Sequence, residues 1–258
     1  MPSCWLPNPD INHLTSAERG RYVQEMFTRI ARRYGLMNRL MSVGQDARWR
    51  REVIRRAALP PGANIILDLG AGTADVGLEA LRQNPAATLI EADFSLEMMK
   101  VGRKRASSKY PKPQFTNLPT TNLPIHWAAA DALQLPFPAD TFDAVVSGFL
   151  LRNVVDLPQT LREQHRVLKS GGMLVALDTT RPRENLFSPL IRFHMHTTIP
   201  LLGRLLTGEA EAYTYLPDSS ECFLPAEELA AHIAVAGFRE VCFWRLMFGT
   251  IAIHWGRK

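Results

Sequence analysis

A glycine-rich turn is the first part of the sequence that could do chemistry. The segment LDLGAGTAD (residues 67–75) ends a short apolar run and brings glycines at positions 70 and 72. Glycines let the backbone approach a ligand closely, and the N–H groups at the start of the following helix are free to bind it. A dinucleotide-binding G-x-G-x-x-G motif would place a third glycine where this chain has Asp75, and an acid there would repel a phosphate. The turn therefore favours a cationic ligand without phosphate.

S-adenosylmethionine (SAM) is a ligand of that kind, because its sulfonium is positive and its ammonium group needs carboxylate or carbonyl partners. Asp93 ends a second predicted strand about twenty residues further on, where an acid can accept hydrogen bonds from both ribose hydroxyls. Asp131 follows a third predicted strand, where it can bind the adenine amino group while the small Ala132 flanks the ring. Either acid could instead cap the next helix, but three elements in register favour a SAM site.

Strand and helix patterns alternate around these residues. Short apolar runs predict buried parallel strands at 65–69, 87–92, 125–129, 143–147 and 173–177. Helical spacing predicts helices between most of them and after the last, at 74–83, 95–106, 158–169 and 225–236. The sheet reaches seven strands with two more predicted near the C-terminus, at 240–246 and 249–255. This alternation predicts an α/β fold with a doubly wound, mostly parallel, Rossmann-like sheet preceded by N-terminal helices.

Positive charge is concentrated near the N-terminus. Residues 1–60 contain eleven arginines against five acidic residues, a net charge of +6, mostly in amphipathic helices predicted at 20–34 and 46–58. A solvated helix face would explain this pattern, and so would a surface drawn to anionic lipid headgroups or nucleic acid. No apolar run approaches the roughly 18–20 residues of a transmembrane helix. Three widely spaced cysteines argue against a disulfide framework or a zinc site, so we expect a cytoplasmic protein, either free or associated with the cytoplasmic face of a membrane.

Longer segments carry a resemblance to a known family. Among them are LDLGAGTAD (67–75), ADFSLEMMKVGRKRA (92–106), LPFPADTFDAVVSGFLLRNVVD (135–156), LREQHRVLKSGGMLVALD (161–178) and AYTYLPDSS (212–220). In these segments the chain resembles the UbiE/MenG family of quinone-biosynthesis C-methyltransferases, and the likeness runs from about residue 22 to the C-terminus. The chain departs from the usual family residues at Gly35, Ala74, Leu150 and Asp178, where the family usually has Asp, Gly, Gly and Glu.

The resemblance implies the class I SAM-methyltransferase fold and transfer of the SAM methyl group to a ring carbon of a reduced quinone such as demethylmenaquinol. It also completes the set of residues expected to bind the cofactor, which are Asp68, Gly70, Gly72, Thr73, Asp93, Phe94, Met98, Asp131 and Ala132. We expect residues 1–60 to form an N-terminal helical cap and residues 61–258 the SAM-dependent methyltransferase domain. Within that domain, the proline-rich residues 107–124 are expected to form a loop insertion and residues 180–222 a lid over the substrate.

Four residues are candidates for the catalytic step. Arg152 and Asn153 follow the fourth predicted strand, at the carboxyl edge of the sheet where ligands bind. Arg152 could stabilise a phenolate or orient a water as base, and Asn153 could hydrogen-bond a ring oxygen; a capping asparagine beside a surface arginine is the structural alternative. Tyr34 could cover the cofactor or substrate, or pack as a core aromatic. His196 could act as a base near neutral pH, although a lone histidine is more often structural.

Tyr213, Tyr215 and His254 are the expected substrate-binding residues, with ordinary packing as the alternative. The apolar segment at 186–206 could line the path of a prenyl tail. Together with the arginine-rich helices, it suggests peripheral membrane contact. No residues have metal-ligand spacing, so no metal is expected, and the sequence leaves a monomer and a homodimer both open.

Two other functions fit the sequence. One is a class I methyltransferase acting on another small phenolic or polyketide substrate, and the other is a non-catalytic SAM-fold subunit of a biosynthetic complex. A nucleic-acid methyltransferase is disfavoured, because the fourth predicted strand runs into SGFLLRNV (147–154) and not into the N-P-P-Y-type loop that faces a flipped base. We therefore expect a prenylated quinol or another small phenol as partner, and no nucleic acid.

Overall fold

The computed structural model describes residues 15–110, 125–181, 189, 193–207, 213, 215 and 219–258, and within these residues seven strands form one sheet. The strands are β1 (Ile65–Leu69), β2 (Thr88–Asp93), β3 (Ile125–Ala129), β4 (Phe142–Gly148), β5 (Leu168–Thr179), β6 (Arg239–Leu246) and β7 (Ile251–Arg257). The helices are α1 (Ser16–Ile30), α2 (Tyr34–Met41), α3 (Asp46–Arg56), α4 (Asp75–Gln83), α5 (Leu96–Lys109), α6 (Leu157–Val167), α7 (Ile199–Thr207) and α8 (Ala226–Val235). All seven predicted strands are present, and β1 and β3 have the predicted bounds.

The strand order places a ligand crevice at one point of the sheet. The order is β3-β2-β1-β4-β5-β7-β6, and all pairs are parallel except those that β7 makes with β5 and β6. The predicted doubly wound, mostly parallel sheet is confirmed. The order of the strands reverses between β1 and β4, and ligands bind outside the carboxyl ends of strands at such a switch point. The loops that follow β1 and β4 are therefore the expected site.

The central strands are held by apolar layers on both faces of the sheet. Along β1, Leu67 packs with Val145 in one cluster, while Ile66 packs with Val146 in another on the opposite face. This alternation follows from the period of two along a strand. All four side chains are fully buried, and each such burial contributes about 1.5–3 kcal/mol. The strand ends that carry the site are thus fixed by core packing.

The N-terminal helices pack against the rest of the molecule in two ways. A capping box between Thr15 and Glu18 starts α1, and Met26 and Ile30 on its apolar face lie in a third cluster together with Tyr215. Helix α3 behaves differently, because its Trp49 belongs to the same cluster as β1. The boundary that we expect at residue 60 therefore separates a helical segment from the α/β segment that follows it. The two segments share part of one hydrophobic core.

Several further expectations fall on the connecting segments. Helix α5 runs through Lys109, so the first residues of the expected insertion at 107–124 are helical, and 111–124 lie outside the described residues. The described part of the expected lid at 180–222 includes a turn of π-helix, His194–Thr198, that leads directly into α7. In the described ranges no helix is long and apolar enough to cross a membrane, and no group of three or more His, Cys, Asp or Glu could hold a metal ion.

The cysteines correct one expectation. Cys242 is an exposed free thiol, but Cys222 is disulfide-bonded. The sequence argued against disulfides because the cysteines are odd in number and far apart. Distance along the chain does not limit which cysteines a fold brings together, since disulfide formation depends on the spacing of the Cα atoms in space.

Candidate functional site

A cavity of about 490 Å³ lies at the predicted crevice. It is lined by the loops after β1, β2, β3 and β4 and by residues of α1 and α2. All nine residues expected to bind the cofactor line it, and so do Tyr34 and Asn153 from the catalytic set. Because these residues come from six elements, the tertiary structure gathers into one cavity what the sequence spreads over more than a hundred residues.

The glycine turn is held in one shape by hydrogen bonds to β2. The N–H groups of Gly70 and Ala71 both donate to the carbonyl oxygen of Ala92, at 2.8 and 3.0 Å. Gly70 and Gly72 have φ of +69° and +54°, a left-handed conformation that glycine adopts without strain. A Cβ on Gly70 would lie 2.9 Å from Cδ1 of Leu150, in the loop after β4. The turn therefore fits closely between its neighbours and faces the cavity.

Ala74 has the backbone conformation of the glycine that the family usually has there. Its φ is +63° and its ψ is +29°, immediately before α4 begins at Asp75. Its methyl group is fully buried and packs with Leu78 and Ala106. The left-handed conformation costs an alanine roughly 1–2 kcal/mol, and burial of the methyl group offsets part of this. The departure at position 74 thus leaves the course of the chain at the turn unchanged.

Asp93 connects the end of β2 to the glycine turn. Its Oδ2 accepts a hydrogen bond from the N–H of Gly72 and its Oδ1 accepts one from the N–H of Ser95, both at 2.7 Å. Burial raises the pKa of Asp93, and these backbone donors work against the increase. A carboxylate has about four lone-pair sites, so these backbone donors leave room for a ligand in the cavity. Asp131, which is exposed, lines the cavity from the loop after β3 and accepts a hydrogen bond from the N–H of Leu133 at 2.9 Å.

Asp75 corrects part of the argument made from the sequence. Its carboxylate is paired with Arg105 of α5 at 2.9 Å and with Arg50 of α3 at 3.6 Å, and it accepts a hydrogen bond from Thr73 at 2.8 Å. Burial alone would raise the pKa of Asp75, but the two guanidinium groups outweigh it and lower the pKa below its usual value. The sequence argument treated Asp75 as an acid free to face a ligand. The fold instead pairs the Asp75 carboxylate with two arginines. The described hydrogen bonds of Asp93, by contrast, all come from backbone N–H groups.

Helix α1 packs against the loop after β2 and lines the cavity. Gln24 donates a hydrogen bond from Nε2 to the carbonyl oxygen of Phe94 at 3.0 Å, and the hydroxyls of Thr28 and Ser95 lie 3.3 Å apart. Gln24 and Phe27 line the cavity. Sequence reasoning missed these α1 residues as part of the site. Their only signal was the amphipathic pattern of the helix, which does not specify what its faces contact.

The rest of the cavity wall is mostly apolar with a few polar groups. Asn153 donates from Nδ2 to the carbonyl oxygen of Phe149 at 2.9 Å and accepts from the Tyr215 hydroxyl at 3.3 Å. Tyr34 contacts Phe27 edge to face. Burial raises the pKa of Tyr34, while the charge of Arg152 acts in the opposite direction. Cavities with mostly apolar walls and a few convergent polar groups are typical of small-molecule sites.

Arg152 lies behind the cavity wall. Its Nη1 donates to Oδ1 of Asp178 at 2.7 Å, and both side chains are almost completely buried, with 3% and 1% exposed. Its guanidinium carbon lies 5.1 Å from the centre of the Phe149 ring, within the range of a cation–π contact. Arg152 therefore holds the loop after β4 against β5. Its positive charge acts on two residues of the cavity lining, Tyr34 and Phe149.

The remaining candidates lie outside the cavity lining. His196 is exposed and contacts Glu221 at 2.8 Å. His254 is buried in β7, where Nε2 lies 2.9 Å from the carbonyl oxygen of Ala226, and burial lowers its pKa. Tyr213 and Tyr215 are buried in the cluster that joins α1 to α7, and the Tyr215 hydroxyl contacts Asn153, which lines the cavity. Nothing in the sequence distinguishes these packing positions from a pocket lining, because both favour aromatic residues.

Comparison with known proteins agrees with this geometry. The model of the ubiE/COQ5 methyltransferase family matches residues 14–258. A ubiquinone/menaquinone biosynthesis C-methyltransferase UbiE of Desulfotalea psychrophila is 43% identical over 93% of this chain and 92% of its own. A demethylmenaquinone methyltransferase of Thermus thermophilus is 40% identical over 90% of this chain and 100% of its own.

Solved structures share the fold at lower identity. The [4+2]-cyclase SpnF superposes with a TM-score of 0.64 at 17% identity, over 95% of this chain and 96% of its own. Phosphoethanolamine N-methyltransferase 2 of Haemonchus contortus, solved with SAM, gives 0.60 at 12% identity, over 82% of this chain and 52% of its own. With the family match over nearly the whole chain, the protein is a SAM-dependent methyltransferase and belongs to the ubiE/COQ5 methyltransferase family.

Proposed function

We propose that the protein transfers the methyl group of SAM to a ring carbon of a reduced, prenylated quinone precursor, with demethylmenaquinol as the leading substrate. The observation that carries the proposal is that one mostly apolar cavity is lined by the glycine turn together with Tyr34 and Asn153. Relatives named demethylmenaquinone methyltransferase, 37% and 40% identical over most of the chain, support the choice of ring. A neutral prenylated quinol has no charged group that needs a partner, so an apolar wall with few polar groups suits it.

The residues present fit SAM. The cavity volume falls within the ~300–1,000 Å³ of small-molecule sites, and the backbone at Gly70 and Gly72 faces it without side chains. In the proposed assignment, Asp93 accepts hydrogen bonds from the ribose hydroxyls and Asp131 binds the adenine amino group, while Ala132 and Met98 contact the ring. When bound, SAM supplies an electrophilic methyl group on a positive sulfur. The chain's task is then to place a nucleophilic carbon in line with it.

Polar residues in and behind the cavity wall would activate the substrate. A phenol, with a pKa of about 10, becomes a strong carbon nucleophile only as it loses its proton. Asn153 and Tyr34 would hold a ring oxygen by hydrogen bonds, which fixes the ring relative to the cofactor. The charge of Arg152, which already acts on the Tyr34 hydroxyl, would stabilise the phenolate from behind the wall. Arg152 is thus proposed to act through its charge and by positioning Phe149, without touching the substrate.

Incubation with labelled SAM and a panel of reduced naphthoquinols and benzoquinols, followed by mass spectrometry, tests the proposal. We expect methylation of prenylated naphthoquinols and little turnover of rings without a tail. Equal turnover of short phenols would favour a soluble phenolic substrate instead. SAM binding in calorimetry without any methylated product would favour a non-catalytic subunit.

A matched pair of variants tests the assigned residues. Asn153→Ala removes an amide from the cavity wall, and we expect at least a tenfold loss of turnover with SAM affinity unchanged. Asn84→Ala is the control, because the Asn84 side chain donates to the carbonyl oxygen of Ala80 at the end of α4 away from the glycine turn. Full activity in Asn153→Ala would remove Asn153 from the mechanism without affecting the SAM site.

We further propose that α2 rests on an anionic membrane, where a prenylated substrate would be found. Leu36 and Leu40 are 53% and 38% exposed one turn apart on α2, and the exposed Arg39 lies between them in the sequence. Val43, just beyond the helix, is 75% exposed. Apolar side chains beside basic ones match a bilayer interface, where each basic residue contributes about 1 kcal/mol. Tyr34 and Asn38 of the same helix line the cavity, so docking there would bring lipid next to the site.

Cosedimentation with vesicles of phosphatidylglycerol at low salt tests this surface. We expect Leu36→Glu combined with Leu40→Glu to weaken binding about tenfold. Two leucines that would insert into the lipid are lost, and two negative charges face the anionic headgroups. Val235→Glu is the matched control, since Val235 is 87% exposed but lies on α8. Equal binding by both variants would reject the α2 surface, and no binding by the wild type would reject membrane contact.

A further inference from the structure

Two buried carboxyl groups lie side by side beneath the glycine turn. Asp68 of β1 and Glu91 of β2 are register partners on adjacent parallel strands. Asp68 is 1% exposed and Glu91 is 0% exposed. Buried charges are almost always paired, because removing an ion from water costs several kcal/mol. A fully buried Glu91 beside another acid therefore needs a specific explanation.

The chain makes room for Glu91 by having no side chain at Gly77. A Cβ on Gly77 would lie 2.7 Å from Cδ of Glu91, closer than real contacts allow. Gly77 lies in the first turns of α4, where glycine weakens a helix by roughly 0.5–1 kcal/mol relative to alanine. The same residue donates its backbone N–H to Oδ2 of Asp68 at 2.7 Å. Asp68, Gly77 and Glu91 therefore form one compact cluster at the start of α4, which we call the carboxyl pair and its glycine.

The hydrogen bonds of the pair require a proton. Among the described residues, Oδ1 of Asp68 and both carboxyl oxygens of Glu91 have no donor. Two ionised carboxylates would both be acceptors and would repel each other, whereas one carboxylic acid can donate to the other's carboxylate. Burial raises the pKa of Glu91 well above its usual value, and the neighbouring Asp68 raises it further. The same burial raises the pKa of Asp68 to about 7, although the backbone N–H of Gly77 opposes this increase.

The surrounding charges favour the same arrangement. Asp93 of β2 and Asp75 at the start of α4 add negative charge near the pair. Arg50 and Arg105 lie on the far side of Asp75 and pair with it. Across the sheet, Asp68 has Val146 of β4 as its register partner and Glu91 has Trp127 of β3, and neither carries charge. No cation in the described part of the chain pairs with either carboxyl group.

We propose that Glu91 is a positioning residue of the SAM site: as a carboxylic acid it donates its proton to Asp68, and this holds Asp68 on the N–H of Gly77 and fixes the start of α4. The proposal rests on SAM binding at the glycine turn but not on the identity of the methyl acceptor. Asp68 and the residues from Gly70 to Asp75 all line the cavity or adjoin it. A shift of the pair would therefore move the backbone that faces the cofactor.

Three substitutions separate this role from simple packing. Glu91→Gln keeps the shape and an N–H donor toward Asp68, and we expect its SAM Kd at pH 7 to stay within twofold of wild type. Glu91→Leu keeps the volume but removes the donor, and we expect a Kd at least tenfold weaker. Glu97→Gln is the control for loss of a carboxylate, since Glu97 is exposed on α5 and pairs with Lys100.

Calorimetric titration with SAM and infrared spectroscopy are the measurements. At neutral pH the wild type should show the C=O band of a buried carboxylic acid, and Glu91→Gln should lack it while Glu97→Gln retains it. Absence of that band in the wild type overturns the proposal, as does a Glu91→Gln variant that binds SAM as weakly as Glu91→Leu. If Glu91→Leu fails to fold, the band and the Glu91→Gln titration still decide. Because no quinol is used, a wrong methyl acceptor would leave these results unchanged.

Discussion

Replacing Gly70 with alanine tests how closely the glycine turn fits the site. Two penalties arise at this position. The backbone φ of +69° costs an alanine roughly 1–2 kcal/mol. The new Cβ would also lie 2.9 Å from Cδ1 and 3.2 Å from Cβ of Leu150, and such crowding typically costs about 1–3 kcal/mol. We therefore expect Gly70→Ala to lose roughly 2–5 kcal/mol of unfolding free energy.

Gly44 offers a matched control for the backbone penalty. Its φ is +74°, yet a Cβ there would meet no atom within 4 Å. Gly44→Ala should therefore lose only the roughly 1–2 kcal/mol of the left-handed conformation. Because Leu150 and Gly70 both line the cavity, displacement of Leu150 should also weaken SAM binding at least tenfold in Gly70→Ala, or about 1.4 kcal/mol. Gly44→Ala should bind SAM normally.

Urea unfolding and SAM calorimetry on both variants and on Leu150→Ala measure these quantities. In the double variant Gly70→Ala with Leu150→Ala, the shortened side chain gives the new methyl group space. The double variant should therefore lose less unfolding free energy than the two single variants together, by about 1 kcal/mol or more. Equal losses of stability in Gly70→Ala and Gly44→Ala would refute the argument from Leu150. Strict additivity in the double variant would refute it too.

Three further outcomes follow from the structure. Asp178→Ala should lose about 3–5 kcal/mol of unfolding free energy, because it leaves Arg152 as a buried charge without its partner; a urea midpoint near wild type would contradict this. Gly35→Asp should be more stable than Gly35→Ala at low salt, since a Cβ at Gly35 lies 3.6 Å from Nη1 of Arg105, and 1 M salt should remove the difference. Burial lowers the pKa of His254 in the folded state, so its contribution to stability is present above pH ~6.5 and is lost as the pH falls through the folded pKa. An NMR titration in which the His254 ring protonates at 6.5 or above would contradict the last prediction.

Much of the fold could be predicted from local patterns. The bounds of β1 and β3 agree with the apolar runs that predicted them, because a strand buried on both faces needs a continuous apolar segment. Helix ends were predicted less well, as in α5, which continues through Lys109. The position of β7 between β5 and β6 was not predicted, since the pairing of edge strands depends on contacts between distant segments.

The gathering of candidate residues in one cavity could be predicted where one segment carries both the motif and its geometry. The glycines and Asp93 follow directly from strand ends, so their meeting at the carboxyl edge could be inferred. The burial of Arg152 against Asp178 could not, because the partners are 26 residues apart and either could have faced solvent. The same holds for Gln24 and Phe27, whose place over the cavity depends on how α1 packs.

The glycine turn and its acids could be located from the sequence alone, because a positive φ favours glycine and a strand end fixes the next residue's location. The family also follows from the sequence, since its motifs extend over nearly the whole chain. Only the tertiary structure decided the ionisation of these acids: two arginines pair with Asp75 and keep it ionised, and Asp68 shares a buried site with Glu91. The physical reason is that the ionisation of an acid depends on its solvation and on charges brought near it in space, and the order of residues along the chain specifies neither.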